Sequence, residues 1–339
     1  MKSGNEVLLA HGGGGRLTEE LIEEVFIPAF SNDTLNQLGD SARIPNAPAD
    51  HNIALTTDSY VVQPPFFPGG DIGRLAVCGT VNDLAMVGAQ PKYLTCGMIL
   101  EEGFSIDDLK RVTASMSVAA KQSGVCLVAG DTKVVPHGSA DKIFINTSGV
   151  GWIPRVRALD VKKIQAGDAI IISGTIGDHG TVVMATRENL GMHVQLESDT
   201  APLNGLVEAL FKGSIEIHAM RDPTRGGLAQ TLCEMAKASG LHMDLKEDAL
   251  PVKSEVLAIA DILGLDILQI ANEGKLVMFV PNKDAEEALR ICQAQPLGCN
   301  AAIIGRVSHT GDSMVALETR FGGNRIVEQP MGELLPRIC

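Results

Sequence analysis

The sequence predicts a mixed α/β (α+β) protein in two parts, and three features carry that reading. Short apolar runs of strand character alternate with stretches whose apolar residues recur at helical spacing. Two of those runs give way to an acid, at Asp58 and Asp131, as strand ends do where α/β-type proteins place ligands. A break in the pattern at Trp152-Ile153-Pro154-Arg155 then separates a first part at 1–153 from a second at 154–330, leaving a tail at 331–339.

The chain has 339 residues, 45% hydrophobic and 20% charged, which is the balance of a globular protein with sizeable cores. A net charge of −13 argues against nucleic acid or an anionic membrane as the main partner. An anionic nucleotide stays open, because metal ions and backbone amides offset charge locally. The seven cysteines form no C-x-x-C pair, so neither a disulfide framework nor a zinc site is indicated. Cys78, Cys96, Cys126 and Cys233 lie in apolar runs and read as small core residues. There is neither a signal-type leader nor an apolar run long enough to span a bilayer, so a cytoplasmic protein is expected.

In chain order, residues 10–16 read Ala-His-Gly-Gly-Gly-Gly-Arg and precede an amphipathic helix with Leu21, Ile22, Val25 and Phe26 on one face. The run Gly12, Gly13, Gly14, Gly15 leaves N–H groups unshielded, which suits a loop over phosphates; a floppy leader is the commoner source of such a run. Neither G-x-x-x-x-G-K-[ST] nor G-x-G-x-x-G occurs. A strand at 53–57 leads to Asp58, and a Pro/Gly loop at 64–70 leads into residues 71–89, the stretch around which the chain is organised. There Ile72, Leu75, Ala76, Leu84, Ala85 and Val87 have helical spacing, Asp71 is a candidate cap and Gly88 a stop. Asn82-Asp83 interrupts this small, apolar helix. Asp83 should share the inward side with Gly79 and Ala76, where a carboxylate needs a cation, a backbone donor or a distant Arg.

Residues 92–100 read as a strand, and Ser105-x-x-Asp108 as a capping box for a helix running to Gly124. The strand at 125–129 leads to Gly130-Asp131-Thr132-Lys133, and another strand covers 143–150. The second part opens with a strand at 168–173 and the turn 174–180. Arg221-Asp222-Pro223-Thr224-Arg225-Gly226-Gly227 leads a helix, with Asp222-Pro223 reading as its cap and the glycines suggesting close approach to a ligand. Strands at 241–245, 276–280 and 301–304 alternate with helices near 252–263 and 283–294, and Glu273 sits in a flanking turn. Asp58, Asp83 and Asp131, each at an apolar-to-polar edge, suit oxygen-ligated Mg²⁺ better than a softer metal. The tail ends Pro336-Arg337-Ile338-Cys339; Pro336 favours an extended, mobile arm, and a final cysteine suggests a nucleophile on a swinging arm.

The Gly-rich start, Thr57-Asp58-Ser59, Val81-Asn82-Asp83-Leu84, Gly130-Asp131-Thr132-Lys133 and Asp222-Pro223-Thr224-Arg225-Gly226-Gly227 occur in that order and together resemble one superfamily. It contains aminoimidazole ribonucleotide synthetase, selenophosphate synthetase and thiamine-monophosphate kinase. The ending Pro336-Arg337-Ile338-Cys339 resembles that of the HypE family, the carbamoyl dehydratases of [NiFe]-hydrogenase maturation. The resemblance covers essentially the whole chain. It implies an N-terminal α/β domain that pairs across a homodimer, a C-terminal α/β domain packed against it, and ATP with Mg²⁺ in the cleft between.

By resemblance, Asp58, Asp83, Asp131 and Asp222 would hold metal, with Asp71 a weaker fifth, and Gly12, Gly13, Gly14, Gly15, Asn82 and Thr132 would bind the nucleotide. Cys339, Lys133 and Glu273 would be catalytic. The implied reaction starts when the carbamoyltransferase HypF loads a carbamoyl group onto Cys339. ATP-dependent dehydration then converts the thiocarboxamide to a thiocyanate, whose cyanide passes to iron on the HypC–HypD complex. A synthetase or kinase of the same superfamily acting on a free small molecule is the alternative. A nucleotide-binding scaffold that presents its tail to partners is a third possibility.

Overall fold

The computed structural model describes residues 5–13, 15–39, 41–188, 196–309, 312–330 and 338–339. Gly14 and residues 331–337, most of the expected arm, lie outside the described residues.

The chain begins with helix α1 (Arg16–Leu21), a π-helical segment (Ile22–Phe26) and α2 (Ile27–Phe30). Next come β1 (His51–Tyr60), the short pair β2 (Phe66–Phe67) and β3 (Gly70–Asp71), and α3 (Ile72–Met86). Then follow β4 (Gln90–Glu101), α4 (Ile106–Ser123), β5 (Cys126–Val135) and β6 (Ile143–Pro154). These form a four-stranded sheet in the order β1-β6-β4-β5, antiparallel except for the parallel β4/β5 pair.

The second half contributes β7 (Ala169–Ile172), α5 (Asp178–Arg187), α6 (Asn204–Lys212), β8 (Ala219–Arg221), α7 (Gly227–Ser239) and β9 (His242–Lys246). It continues with α8 (Ser254–Leu263), β10 (Val277–Val280), α9 (Ala285–Gln293), β11 (Ala302–Ser308), β12 (Val315–Glu318) and β13 (Asn324–Val327). Its seven-stranded sheet runs β13-β12-β9-β11-β7-β10-β8.

Helix α3 starts where its sequence says. The Asp71 carboxylate accepts from the N–H groups of Gly73 and Arg74, which satisfies two otherwise orphaned donors. That carboxylate is therefore occupied as a cap. Thirteen of the fifteen residues of α3 are buried, so the helix has no solvent face and is held between the two halves. Ser105 likewise caps α4, accepting from Asp108 N–H.

The main apolar core joins both halves. Leu75, Val77, Leu94, Leu109 and Ile145 of the first pack in one cluster with Val183, Val256, Ile259 and Ile270 of the second, and Ile338 belongs to it too.

Four expectations change. Asp58 and Asp131 do not follow their strands but lie within β1 and β5, because pairing with β6 and β4 continues through them. Asp222-Pro223 does not cap α7: the helix begins at Gly227, after Gly226 in the left-handed conformation. The glycine there serves packing, since a Cβ on Gly227 would lie 2.5 Å from Leu268 O. Finally, Cys126, the first residue of β5, is exposed and Cys233 only partly buried, whereas Cys78 and Cys96 are core residues.

Candidate active site

Between the halves lies a cavity of about 720 Å³, lined by Thr56, Asp58 and Asp83 from the first half and by Asp222, Arg225 and Ile338 from the second half and the tail. Strand β1 and helix α3 build one wall. Thr56 faces α3 and its hydroxyl donates to the Asp83 carboxylate at 2.9 Å. Burial raises the Asp83 carboxyl above its ordinary range; the Thr56 hydrogen bond opposes this, the Asp58 charge adds to it, and Arg221 and Arg225 oppose it again. Opposite, burial followed by the Asp83 charge pushes the Asp222 carboxyl up to about 7, with Asp58 adding to the rise. Arg225 reaches Asp58 at 3.7 Å.

These acids repel one another across a shared space, which is the electrostatic situation a divalent cation relieves. Among the described residues, no three His, Cys, Asp or Glu side chains close into a ready chelate. Asp58, Asp83 and Asp222 therefore fit an ion that keeps waters and takes phosphate oxygens, as Mg²⁺ does, and not a dedicated all-protein cage.

Cys339 and Glu273 meet at the inner end. The thiol lies within hydrogen-bonding reach of the Glu273 carboxyl, and burial followed by the Glu273 charge holds it well above the ordinary thiol range, opposed by Arg225. Glu273 is 3% exposed, and its Oε1 has no hydrogen-bond partner. Burial, then the Asp199, Asp222 and Asp58 charges, raise its carboxyl well above the ordinary range. Its turn is held from behind by Asp199, whose carboxylate accepts from Glu273 N–H at 3.1 Å and Gly274 N–H at 3.3 Å. Asp199 pairs with Lys275 at 3.3 Å, its carboxylate buried and the lysine side chain 11% exposed. The tail is anchored by two main-chain bonds: Cys339 O accepts from Val61 N–H at 3.3 Å, and Ile338 O accepts from His179 Nε2 at 2.7 Å.

The remaining residues singled out in the sequence lie elsewhere. Asn82 is 1% exposed and faces the interdomain seam. Its amide donates to Ala201 O and Glu273 O and accepts from Leu203 N–H, so it ties α3 to the second half. Asp131, Thr132 and Lys133 sit on β5, where Lys133 pairs with Asp131 at 3.3 Å with both side chains exposed. The register runs Asp131, Gly97, Asn146, Ser59 across the sheet. Two strands thus separate β5 from β1, a span of about 14 Å at roughly 4.8 Å per strand. Gly12 packs on the same edge strand, where a Cβ would come 2.6 Å from Val134 N. Gly13 and Gly15 flank it on the way into α1.

One chain therefore holds two separate groups. Asp58, Asp83 and Asp222 line the cavity, with Glu273 and Cys339 within reach of their charges, whereas Gly12, Asp131, Thr132 and Lys133 share the β5 edge. Neither spacing nor composition singles out His179, Asp199, Lys275 or Arg225 individually. His179, inside Gly177-Asp178-His179-Gly180, Lys275, inside the turn that carries Glu273, and Arg225, inside a motif already quoted, stand in segments marked for attention; Asp199 does not.

Residues 39–153 match the N-terminal domain, and residues 165–317 the C-terminal domain, of the AIR synthase related protein family. The carbamoyl dehydratase HypE of Azotobacter vinelandii is 49% identical over 333 residues, covering 98% of this chain and 97% of the relative. A crystal structure of the hydrogenase maturation protein HypE in complex with ATP superposes with a TM-score of 0.93 at 48% identity, covering 98% of this chain and 99% of that one. A chain of a HypE–HypF complex superposes with a TM-score of 0.79 at 49% identity, covering 91% of this chain and 99% of that one.

Proposed function

The chain belongs to the AIR synthase related family and, within it, to the HypE carbamoyl dehydratases, and on that premise we propose how its own residues dehydrate a carbamoyl group held on Cys339. The enzyme uses ATP and serves hydrogenase maturation. The overall change turns a thiocarboxamide and ATP into a thiocyanate, ADP and phosphate. The carbamoyl oxygen leaves with the phosphate, and both amide protons are lost from nitrogen.

The observation that carries the assignment is the Cys339 thiol docked against a buried Glu273 carboxyl, at the end of a cavity lined by Asp58, Asp83 and Asp222. An amide oxygen is a poor leaving group until phosphorylated, so the protein must position the reactants, neutralise charge and remove protons. Glu273 is the base we assign to the nitrogen protons: a carboxylate whose proton affinity is raised by burial is better matched to that transfer than an exposed one. Asp199 holds the Glu273 turn in place, and Arg225 supplies positive charge beside the sulfur. Asp58, Asp83 and Asp222 would hold Mg²⁺, which supplies charge neutralisation for the nucleotide phosphates when bound.

On the resemblance, Asp131 is assigned to the metal, Thr132 and the Gly12–Gly15 loop to the nucleotide, and Lys133 to the chemistry. Because they lie three strands from Asp58 in their own chain, they would have to reach it from a second copy. Exposed Ile53 and Leu55 on β1 and Ile99 on β4 favour a homodimer built on this sheet. HypF is the partner we assign for loading the thiol, and HypC–HypD the acceptor of cyanide. Among the described residues no helix is long and apolar enough to cross a membrane, in keeping with a cytoplasmic site of action.

Intact-protein mass after incubation with carbamoyl phosphate, HypF and Mg-ATP tests the assignment. Gain of a carbamoyl group followed by ATP-dependent loss of one water is expected, and neither in Cys339→Ala. Turnover of a free substrate that survives Cys339→Ala would overturn it.

A further inference from the structure

His179 takes no part in the chemistry described above, yet it is fully buried and touches the tail one residue before the reacting cysteine. Its Nε2 meets the Ile338 carbonyl at 2.7 Å, and its Nδ1 meets Ser198 Oγ at 2.8 Å. A carbonyl only accepts, so Nε2 carries the hydrogen. Burial lowers the affinity of the ring for a second proton, so Nδ1 stays bare and accepts from the Ser198 hydroxyl. Ser198 Oγ is itself fixed by Thr200 N–H at 3.2 Å and the Thr200 hydroxyl at 2.7 Å. The edge of Phe67 stands against the ring, with centroids 5.3 Å apart at 84°, so the imidazole plane has little freedom.

The next residue along is Asp199, which holds the N–H groups of Glu273 and Gly274. One short segment, 198–200, thus sets both the tail, through His179, and the base, through Asp199.

We propose that His179, oriented by Ser198, is a positioning residue that latches the tail through the Ile338 carbonyl and so registers Cys339 against Glu273. This rests on the dehydratase reading for its purpose, but not for its test. The latch acts on main chain, so it serves thiol, thiocarboxamide and thiocyanate alike. It also differs from the Val61 contact, which reaches the terminal residue itself.

The experiment is alkylation of the full-length protein with iodoacetamide, without ATP or transferase, followed peptide by peptide. A docked thiol, buried against a carboxyl, is a poor nucleophile, so the rate at Cys339 reports the undocked fraction. His179→Leu keeps apolar packing against Phe67 but leaves the Ile338 carbonyl unpaired, and should speed alkylation at Cys339 about tenfold, the equivalent of one buried hydrogen bond. His179→Gln restores an N–H donor and should stay within about twofold of the wild type. Buried Cys78 and Cys292 should remain unreactive in both.

A wild-type rate at Cys339 in His179→Leu would overturn the latch. So would equal acceleration in the Leu and Gln variants, or acceleration shared by Cys78 and Cys292, since either means general loosening. If His179→Leu does not fold, Ser198→Ala becomes the test: freeing Nδ1 should raise the rate about two- to threefold, and an unchanged rate would overturn the proposal. Failure of the dehydratase reading would appear only in the mass change under turnover, which this measurement does not use.

Discussion

Asp222→Asn offers a test of the acidic cavity that needs no turnover. The wild-type carboxyl sits at about 7, raised first by burial and then by the neighbouring Asp83 charge. In the unfolded chain an aspartate titrates near 3.9. Between those values the native state holds a proton that the unfolded state has released, so native stability falls as pH rises through the window and is lowest above it. A shift of about three units corresponds to about 4 kcal/mol as a ceiling. Asp222 lines the open cavity, and solvent screening there reduces the effect to about 1–2 kcal/mol. The Asn variant has no such charge. Without metal, it should therefore melt about 1–3 °C higher than wild type at pH 8, with a smaller difference at pH 5, where the window is only partly crossed. Millimolar Mg²⁺ with a non-hydrolysable ATP analogue should reverse the order at pH 8, because the wild type gains binding energy that the variant lacks. Calorimetry at the two pH values, with and without Mg²⁺ and nucleotide, makes the comparison. A difference equal at pH 5 and pH 8 would show that Asp222 is not held under repulsion. A wild type that gains no more than the variant from Mg²⁺ and nucleotide would remove it from the metal site.

Three further outcomes are expected. Glu273→Gln should load a carbamoyl group normally but dehydrate it about 10²–10⁴-fold more slowly, so the loaded form accumulates in intact-mass spectra; normal dehydration would clear Glu273 of the base role. Asn82→Ala removes three buried hydrogen bonds between α3 and residues 201, 203 and 273, and should cost about 2–4 kcal/mol in urea unfolding. A loss below about 0.5 kcal/mol would mean that water replaces the amide. Leu55→Asp places a charge on a side chain 75% exposed in the single chain; sedimentation should show a dimer for the wild type and a monomer for the variant. A wild-type monomer, or a dimer that tolerates the change, would move the interface elsewhere.

What could be read from the chain, and what could not, follows the range of the interaction. Asp71 as a cap and Ser105 before Asp108 are contacts within one turn, and both are legible from spacing alone. The inward placing of Asp83 followed from helical period, and Thr56 meets it as the period requires. The strands that carry Asp58 and Asp131 run to Tyr60 and Val135, past the expected ends at 57 and 129, because a strand ends where its partner ends, and the partner is remote in sequence. Asn82 and Asp83 divide their work by a rotation of about 100° on one helix, one joining the halves and the other facing the cavity. The pairs Asp199–Lys275 and His179–Ile338 span 76 and 159 residues, and nothing local announces them. The separation of Asp131 and Lys133 from the other acids likewise depends on strand order, which apolar runs do not reveal.

Ile338 is 2% exposed and lies in the same apolar cluster as Leu75 and Val183. Withdrawing the terminal cysteine from its cavity therefore uncovers an isoleucine as well, at about 1.5–3 kcal/mol. A visiting protein that offered only a polar surface would leave that loss standing, and the tail would fall back before any group could be exchanged. Whatever receives this cysteine must also house its neighbour, so recognition at each stop on the tail's route reads two side chains, one for chemistry and one for lodging.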